Sequence, residues 1–192
     1  MHKLRPHLAA VFLALAAAVL QSCTGLSGLK RLPDAQAVIA DITFPGSPLT
    51  IAAAADRRDR SYRTGERIGL SVRLGKPAYL AILEVRRSGE TRLLFPNKKH
   101  PGAFEPAAVP VSIPGPGDEF AVLAPRPGTV LIEVVASTSG ASWLFHRTPA
   151  GSAVFADLGS TTHLLAKEIV SALKHGGAAA AASAIVIRVE GE

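Results

Sequence analysis

Residues able to do chemistry are few in this sequence, and they lie far apart along the chain. Beyond residue 22 there are four histidines, none with a second histidine four positions away. They are His100, His146, His163 and His175. Metal ligands would have to come from distant segments, because the usual helical zinc motif places two histidines at that spacing. We therefore predict no metal site and no cofactor.

Serine chemistry leaves one enzymatic alternative open. A triad could be drawn from Ser137 or Ser160, from His146 or His163, and from Asp157. A serine becomes nucleophilic only beside a base that a third group orients. The sequence has no Gly-x-Ser-x-Gly elbow and no phosphate-binding loop to mark such a site. We predict no catalytic residues, and an envelope hydrolase is the least favoured interpretation.

The segment "WLFHR" at 143–147 combines two aromatic side chains with two basic ones. Its simplest interpretation is a strand that buries Trp143 and Phe145 in the core. The alternative is an exposed platform, in which Trp143 beside His146 and Arg147 stacks on a sugar ring. These four residues are candidate binding residues.

A second basic stretch follows the predicted strand "RLLF". Pro96 ends that strand, because proline cannot donate to a sheet ladder. Beyond it, Lys98, Lys99 and His100 lie on a loop that a partner could reach, so they are also candidate binding residues. The more common role of such charges is a solvated edge that discourages pairing between sheets.

The N-terminus has the organisation of a secretory signal. Lys3 and Arg5 precede an uncharged apolar run at 8–20. This run is shorter than the roughly 20 apolar residues that span a bilayer, so it predicts a Sec-type signal peptide and not a permanent anchor.

The end of that signal, Leu20-Gln21-Ser22-Cys23, resembles the lipobox of bacterial lipoproteins. In that class the cysteine is acylated and the peptide bond before it is cut, which implies a signal peptide at 1–22 and a lipidated Cys23. The chain has a single cysteine, so it cannot form an internal disulfide. Several acyl chains anchor stably, since each buried CH₂ contributes roughly 0.8 kcal/mol. Thr24, where inner-membrane lipoproteins usually have Asp, favours the periplasmic side of the outer membrane.

Charge separates the classes of partner. The formal charge of the whole chain is +6, and removal of Lys3 and Arg5 with the signal leaves +4. This balance favours anionic headgroups or envelope polymers. The aromatic content of 5% leaves little for base stacking, so we predict no nucleic-acid partner.

The elements that must position these residues are mostly strands. Residues 67–74 alternate apolar and polar, residues 78–85 are apolar on nearly both faces, and Ser88-Gly89 suggests a tight hairpin into 91–95. Three further short strands are separated by Pro/Gly turns, at 108–113, 119–124 and 129–137. The pattern predicts a mainly β fold, an antiparallel β-sandwich of immunoglobulin-like type or a related barrel.

The two ends of the predicted domain differ from this pattern. Residues 23–36 are expected to be the lipidated cysteine and a polar tether, and 37–44 a first strand or more tether. Residues 160–175 predict one amphipathic C-terminal helix, followed by an alanine-rich stretch at 178–183 and a closing strand at 184–190. The helix's apolar stripe comprises Leu164, Leu165, Ile169, Ala172 and Leu173. Residues 37–192 are predicted to form a single domain.

Residues 60–137 resemble the bacterial family called domain of unknown function 4384. The resemblance lies in the order and spacing of five short motifs. They are Tyr62 with Gly65 and Glu66, Tyr79-Leu80, Leu94 to Asn97, Ile113-Pro114, and a strand led by Gly128. The resemblance implies a small β-sandwich of exported proteins, and no catalytic residues are established for the family.

These features together predict a lipid-anchored, non-enzymatic periplasmic module. Its partner is expected to be an envelope protein or polymer bound through sheet edges and loops. The alternative is a binder of a glycan or small ligand that uses Trp143, Phe145 and neighbouring loops.

Overall fold

Residues 78–86 are apolar at nearly every position, which requires a strand covered on both faces. In the computed structural model, which describes residues 32–174 and 177–191, this segment lies inside the larger of two sheets. Leu80 and Ile82 face one hydrophobic core, whereas Ala81 and Leu83 face another. The prediction of a central apolar strand is confirmed.

Strands predominate among the described helices and strands, and a helix lies near each end of the domain. In chain order they are α1 (Asp34–Ala40), β1 (Ile51–Ala55), β2 (Ser61–Arg63), β3 (Leu70–Leu74), β4 (Ala78–Arg86), β5 (Thr91–Phe95), β6 (Phe104–Glu105), β7 (Val111–Ile113), β8 (Gly128–Ser137), a 3₁₀ helix (Trp143–His146), β9 (Ala156–Gly159), α2 (Thr162–Lys174) and β10 (Ala180–Glu190).

Seven of these strands form the larger sheet. Its order is β2, β10, β8, β4, β5 and β9, and β6 also pairs with β4. All the pairs are antiparallel except that of β2 with β10. The smaller sheet has the order β1, β3, β7 and is antiparallel. The described strands do not close into a barrel, and the predicted mainly β, sandwich-like architecture is confirmed.

The larger sheet separates two hydrophobic cores. One core lies between the sheets and joins Leu70 and Val72 of the smaller sheet to Ile132 and Ile187 of the larger one. The other lies on the opposite face, where the helices cover it with side chains such as Ile169. Burial of this apolar surface is the main favourable term of folding, at roughly 25 cal/mol per Å².

Helix α1 was not predicted, because 37–44 was expected to be a strand or tether. It begins at Asp34, where the polar tether was expected to continue to residue 36. Gln36 is fully buried and its Nε2 donates to the carbonyls of Val85 (2.8 Å) and Thr129 (2.9 Å). The hydroxyl of Thr129 in turn donates to Gln36 Oε1 over 2.7 Å. These bonds attach the start of the described domain to β4 and β8.

Three other segments differ from their predictions. Residues 119–124 contribute only one isolated bridge, between Leu123 and Arg67. Residues 143–146 form a 3₁₀ helix instead of a strand. The alanine-rich stretch is part of β10, which pairs with β8 along its length from Ala180, because small side chains fit beneath the helices. Four other strands were not predicted: β1, β2, β6 and β9.

Helix α2 confirms the predicted C-terminal helix, with its first residue at Thr162. Leu165, Ile169 and Leu173 are buried as expected. The placement of Leu164 in the buried stripe was wrong, since 59% of its surface is exposed. The buried stripe of α2 includes Leu165 and Ala166, and Leu164 points about 100° from Leu165 on the other side, away from the sheet. His175, the predicted last residue, lies outside the described part of the chain.

Candidate functional site

An open groove runs along the outer flank of α2. Its volume is about 840 Å³, and Trp143, Arg147 and Leu158 line the side opposite the helix. Leu164, Lys167 and Glu168 line the helix side. We call this feature, defined by these six residues, the Trp143 groove. Thr161 and Ser171 also line it, so its walls combine apolar side chains with hydroxyl groups, two cations and one anion.

The exposed leucine of this groove follows from the way α2 packs. Leu165 and Ile169 face the sheet and fix the rotation of the helix. Leu164 then lies on the flank, where the 3₁₀ helix and β9 leave it uncovered. Together with half-buried Trp143 and Leu158, it gives the groove a shared apolar surface, and such patches mark interaction sites where a single exposed leucine does not.

The predicted cluster 143–147 is divided by the 3₁₀ helix. The hydroxyl of Ser142 accepts from the amide of Leu144 (3.4 Å), and this cap turns the chain away from the extended conformation. Phe145 is 1% exposed and packs on Tyr79, with ring centroids 5.6 Å apart. Phe145 is therefore a core residue, as the simpler interpretation predicted.

The remaining cluster residues separate in the same way. Trp143 is half-buried and faces the groove together with exposed Arg147. His146 does not line the groove, and its Nε2 lies 2.6 Å from the carbonyl oxygen of Gly140. Two of the four predicted residues thus lie in the site. The other four groove residues were not predicted, and they come from β9 and α2. The available sequence signal was the pair of adjacent leucines in α2, one of which lies off the buried stripe.

The loop after β5 is a structural corner. Asn97 is 2% exposed, its Nδ2 donates to the carbonyl of Leu94 (2.8 Å), and its Oδ1 accepts from the amides of Lys99 and His100 (both 2.9 Å). Lys98 Nζ donates to the carbonyl of Gly151 over 3.0 Å. The predicted end of the strand before Pro96 is confirmed, since β5 ends at Phe95.

His100 takes part in the same corner. Its Nε2 lies 2.9 Å from Asp118 Oδ1, and Asp118 Oδ2 accepts from the amide of Gly115 over 2.6 Å. The ring also meets Phe120 edge-on, with centroids 6.3 Å apart. His100 therefore joins two loops, and none of Lys98, Lys99 and His100 lines the Trp143 groove.

The turn at Tyr62 shows why its residue types recur together. The buried Tyr62 hydroxyl donates to Asp56, and burial together with this hydrogen bond raises the pKa of Tyr62 to about 12. Gly65 has φ +81°, which favours glycine. Glu66 accepts from Arg57 Nη1 (2.6 Å) and from the amide of Arg63 (2.8 Å), and these bonds lower the pKa of Glu66.

The serines and histidines of the alternative triads make only local hydrogen bonds. Ser137 Oγ accepts from the amide of Ser139, and Asp157 accepts from the amide of Gly159. No hydrogen bond joins two of the triad candidates within the described residues. In the same part of the chain, no group of three or more His, Cys, Asp or Glu side chains could hold a metal ion.

One comparison with known proteins gives a match. Residues 61–140 match the family described as Domain of unknown function (DUF4384). The matched DUF4384 segment agrees with the resemblance seen at 60–137 and covers less than half of the 192 residues. Neither the curated proteins nor the solved structures give a match.

The DUF4384 segment builds the scaffold and does not build the groove. It contains β2 to β8, and its motif residues Tyr62, Glu66 and Asn97 support turns. All six residues of the Trp143 groove come after residue 140. The groove is therefore a feature of this chain outside the matched segment. Among the described helices, none is long and apolar enough to cross a membrane.

Proposed function

We propose that this protein is a lipid-anchored, periplasmic module of the bacterial outer membrane that binds an envelope protein and catalyses no reaction. The observation that carries the binding part is exposed Leu164 in the Trp143 groove, opposite half-buried Trp143. The side chains that contribute most to binding at protein interfaces are commonly Trp, Tyr and Arg, and Trp143 and Arg147 both line this groove.

The groove indicates the chemistry of the partner. Leu158 and Leu164 offer an apolar surface on opposite sides, and Arg147 and Lys167 add two positive charges at the rim. Glu168 contributes one negative charge. The best match is a protein segment with an apolar side chain between acidic residues, because charge complementarity at the rim favours encounter and orientation.

Site-specific crosslinking in intact cells tests this proposal. A photoreactive amino acid at position 164 should give one discrete adduct, and Trp143→Ala should remove it. The matched control places the same group at Arg73, an exposed position on β3 of the smaller sheet. Equal adducts from both positions, or an adduct that survives Trp143→Ala in a folded protein, would count against the groove.

A glycan is the second candidate, and Trp143 is the observation that favours it. An indole beside a guanidinium can stack on a sugar ring and donate hydrogen bonds to its hydroxyls. Trp143 is the only tryptophan of the chain, so its fluorescence reports on the groove alone. Titration with soluble peptidoglycan fragments should shift its emission if the ligand is a glycan and leave it unchanged if the partner is a protein.

The membrane anchor rests on Cys23, which lies outside the described residues. Cys23→Ala, or inhibition of lipoprotein signal peptidase, should move the protein out of the membrane fraction. Cys23→Ser is a second, more conservative variant. It also removes the thiol that is acylated, so it should release the protein in the same way. Unchanged membrane partitioning of both variants would remove the anchor from the proposal.

A further inference from the structure

A second cleft lies at the C-terminal end of β4, within the DUF4384 segment. Its volume is about 660 Å³, and it is formed by the β4–β5 turn and by residues 125–129. Three arginines from these two segments line it: Arg86, Arg87 and Arg126. We call it the arginine cleft, and it shares no residue with the Trp143 groove.

The charge of Arg86 is already balanced. Arg86 Nε lies 3.1 Å from Glu84 Oε1, and its Nη1 lies 2.8 Å from both oxygens of Glu90. Glu84 is 1% exposed and also pairs with Arg92, at 2.5 Å. Two arginines and two glutamates thus form a neutral network, of which Arg86 and Glu90 line the cleft.

Arg87 and Arg126 remain as uncompensated charges. Both are exposed, and neither guanidinium forms a salt bridge or hydrogen bond with any other residue that the structure describes. Two like charges in one concavity repel each other and concentrate anions there, because the low-dielectric walls focus the field. The cleft therefore presents the two positive charges of Arg87 and Arg126 to a ligand.

The stem of Arg87 is in contact with neighbouring backbone, and the backbone on either side of Arg126 is stiffened by proline. The Arg87 Cδ lies 3.5 Å from where a side-chain Cβ would stand at Gly128, so the aliphatic part of Arg87 rests against the start of β8. Pro125 and Pro127 flank Arg126, and each fixes its own φ near −65°. Side chains that are held before binding lose less entropy when a ligand arrives.

From this arrangement we infer that the arginine cleft binds a phosphate group. A phosphate monoester carries about −1.5 to −2 charges near neutral pH, which matches the two uncompensated guanidiniums. Each guanidinium can donate two parallel hydrogen bonds to phosphate oxygens, whereas an ammonium group acts as a point charge. The phosphate could belong to a soluble molecule or to a lipid headgroup, and both sources present the same oxygens.

Calorimetric titration of the folded protein with inorganic phosphate and with glycerol phosphate, at constant low ionic strength, tests the inference. Arg87→Gln and Arg126→Gln should each weaken binding about tenfold or more, since every such contact is a charge-assisted hydrogen bond. Arg73→Gln is the matched control, because it removes an exposed arginine from the other sheet, and it should leave the Kd within about twofold of the original value.

Two further variants separate a built site from diffuse attraction. Arg87→Lys keeps the charge but loses the paired donors, so it should weaken binding almost as much as Arg87→Gln. Glu90→Gln removes the negative charge nearest to Arg86 and should tighten phosphate binding about threefold or more. A diffuse positive surface would instead respond equally to Arg73→Gln and to the cleft variants.

The source of the phosphate is decided by a parallel measurement. If a lipid headgroup is the ligand, the soluble domain should sediment with vesicles of phosphatidylcholine and phosphatidic acid, whose headgroup is a phosphate monoester. The Arg87→Gln and Arg126→Gln variants should then stay in the supernatant. Binding of glycerol phosphate without vesicle binding identifies a soluble ligand. The inference is overturned if neither probe binds, or if the Arg87→Gln and Arg126→Gln variants bind as well as the unaltered protein.

Discussion

Glu133 on β8 lies directly opposite Leu83 on β4, with its carboxyl group facing the core between the larger sheet and the helices. Neither carboxyl oxygen has a hydrogen-bond partner within the described chain, and the residue is 1% exposed. Burial raises the pKa of Glu133 well above its usual range, because no nearby group compensates the charged form. The carboxyl is thus protonated at pH values where an ordinary glutamate is ionised.

Glu133→Met should stabilise the protein at neutral pH by about 1–3 kcal/mol, since it replaces an unsatisfied polar group by an apolar one of similar length. The folded state binds the proton of Glu133 more tightly than the unfolded state does. The stability contributed by that proton is complete below the pKa of the unfolded chain and is lost as the pH rises toward the folded pKa.

Urea unfolding between about pH 4 and pH 8 measures this dependence. The advantage of Glu133→Met should be smallest at the acidic end and should grow with pH. Glu119→Met, at an exposed position, should show no such trend. A constant difference between Glu133→Met and the unaltered protein would mean that Glu133 has an ordinary pKa.

Tyr62→Phe should cost about 1–2 kcal/mol of unfolding free energy, because Asp56 loses the hydroxyl that donates to it. Asp56 keeps its bond from the amide of Gly69, 3.1 Å away, which limits the loss. Thermal unfolding measures the effect. Ser61→Ala is the control, since its hydroxyl bonds Glu190 on the exposed surface and should matter little.

Asn97→Ala should cost about 2–4 kcal/mol, because it removes three hydrogen bonds at a position that is 2% exposed. Asn97→Asp keeps the acceptor for the amides of Lys99 and His100 and loses the donor to Leu94. At low pH the aspartic acid is protonated and can again donate to the Leu94 carbonyl, so its cost there should lie between zero and that of Asn97→Ala. Lys99 is exposed, so Lys99→Ala should leave the unfolding free energy unchanged. Equal costs for the two alanine variants would contradict a structural role for Asn97.

Leu164→Asp and Leu165→Asp should separate binding from folding. The first changes a side chain that is 59% exposed, so unfolding free energy should change by about 0.5 kcal/mol or less. The second places a charge in the core under α2 and should cost about 3 kcal/mol or more. The position-164 surface is identified as a binding site only if Leu164→Asp loses the partner while its denaturation midpoint is unchanged.

The central strands β3, β4, β5 and β8 could be predicted from sequence, whereas β1, β2, β6 and β9 were missed. Alternation in β3 and the double-sided apolar run of β4 each follow from local chemistry, as does the turn at Ser88-Gly89, where Gly89 has φ +88°. The 3₁₀ helix at 143–146 could not be predicted. Trp143 and Phe145 suit a strand by residue type, and a single cap from Ser142 decides the conformation.

The candidate site was predictable only in part. Trp143 and Arg147 were found by residue type, but Leu158 and Leu164 looked like ordinary core leucines. The six residues of the groove come from three elements whose meeting depends on how α2 packs against the sheet. Arg87 and Arg126 are similarly distant in sequence, and the larger sheet brings their two loops to one cleft.

By itself, the sequence determined local features: the strands with a clear alternating or continuous apolar pattern, the turns at residues such as Ser88-Gly89, and which residues are apolar. Those choices depend on backbone conformation and on side chains a few positions apart. The tertiary structure alone decided which apolar residues stay exposed, which charges lack a partner, and that Glu133 is buried without a hydrogen bond. The physical reason is that burial and charge pairing depend on long-range contacts between elements.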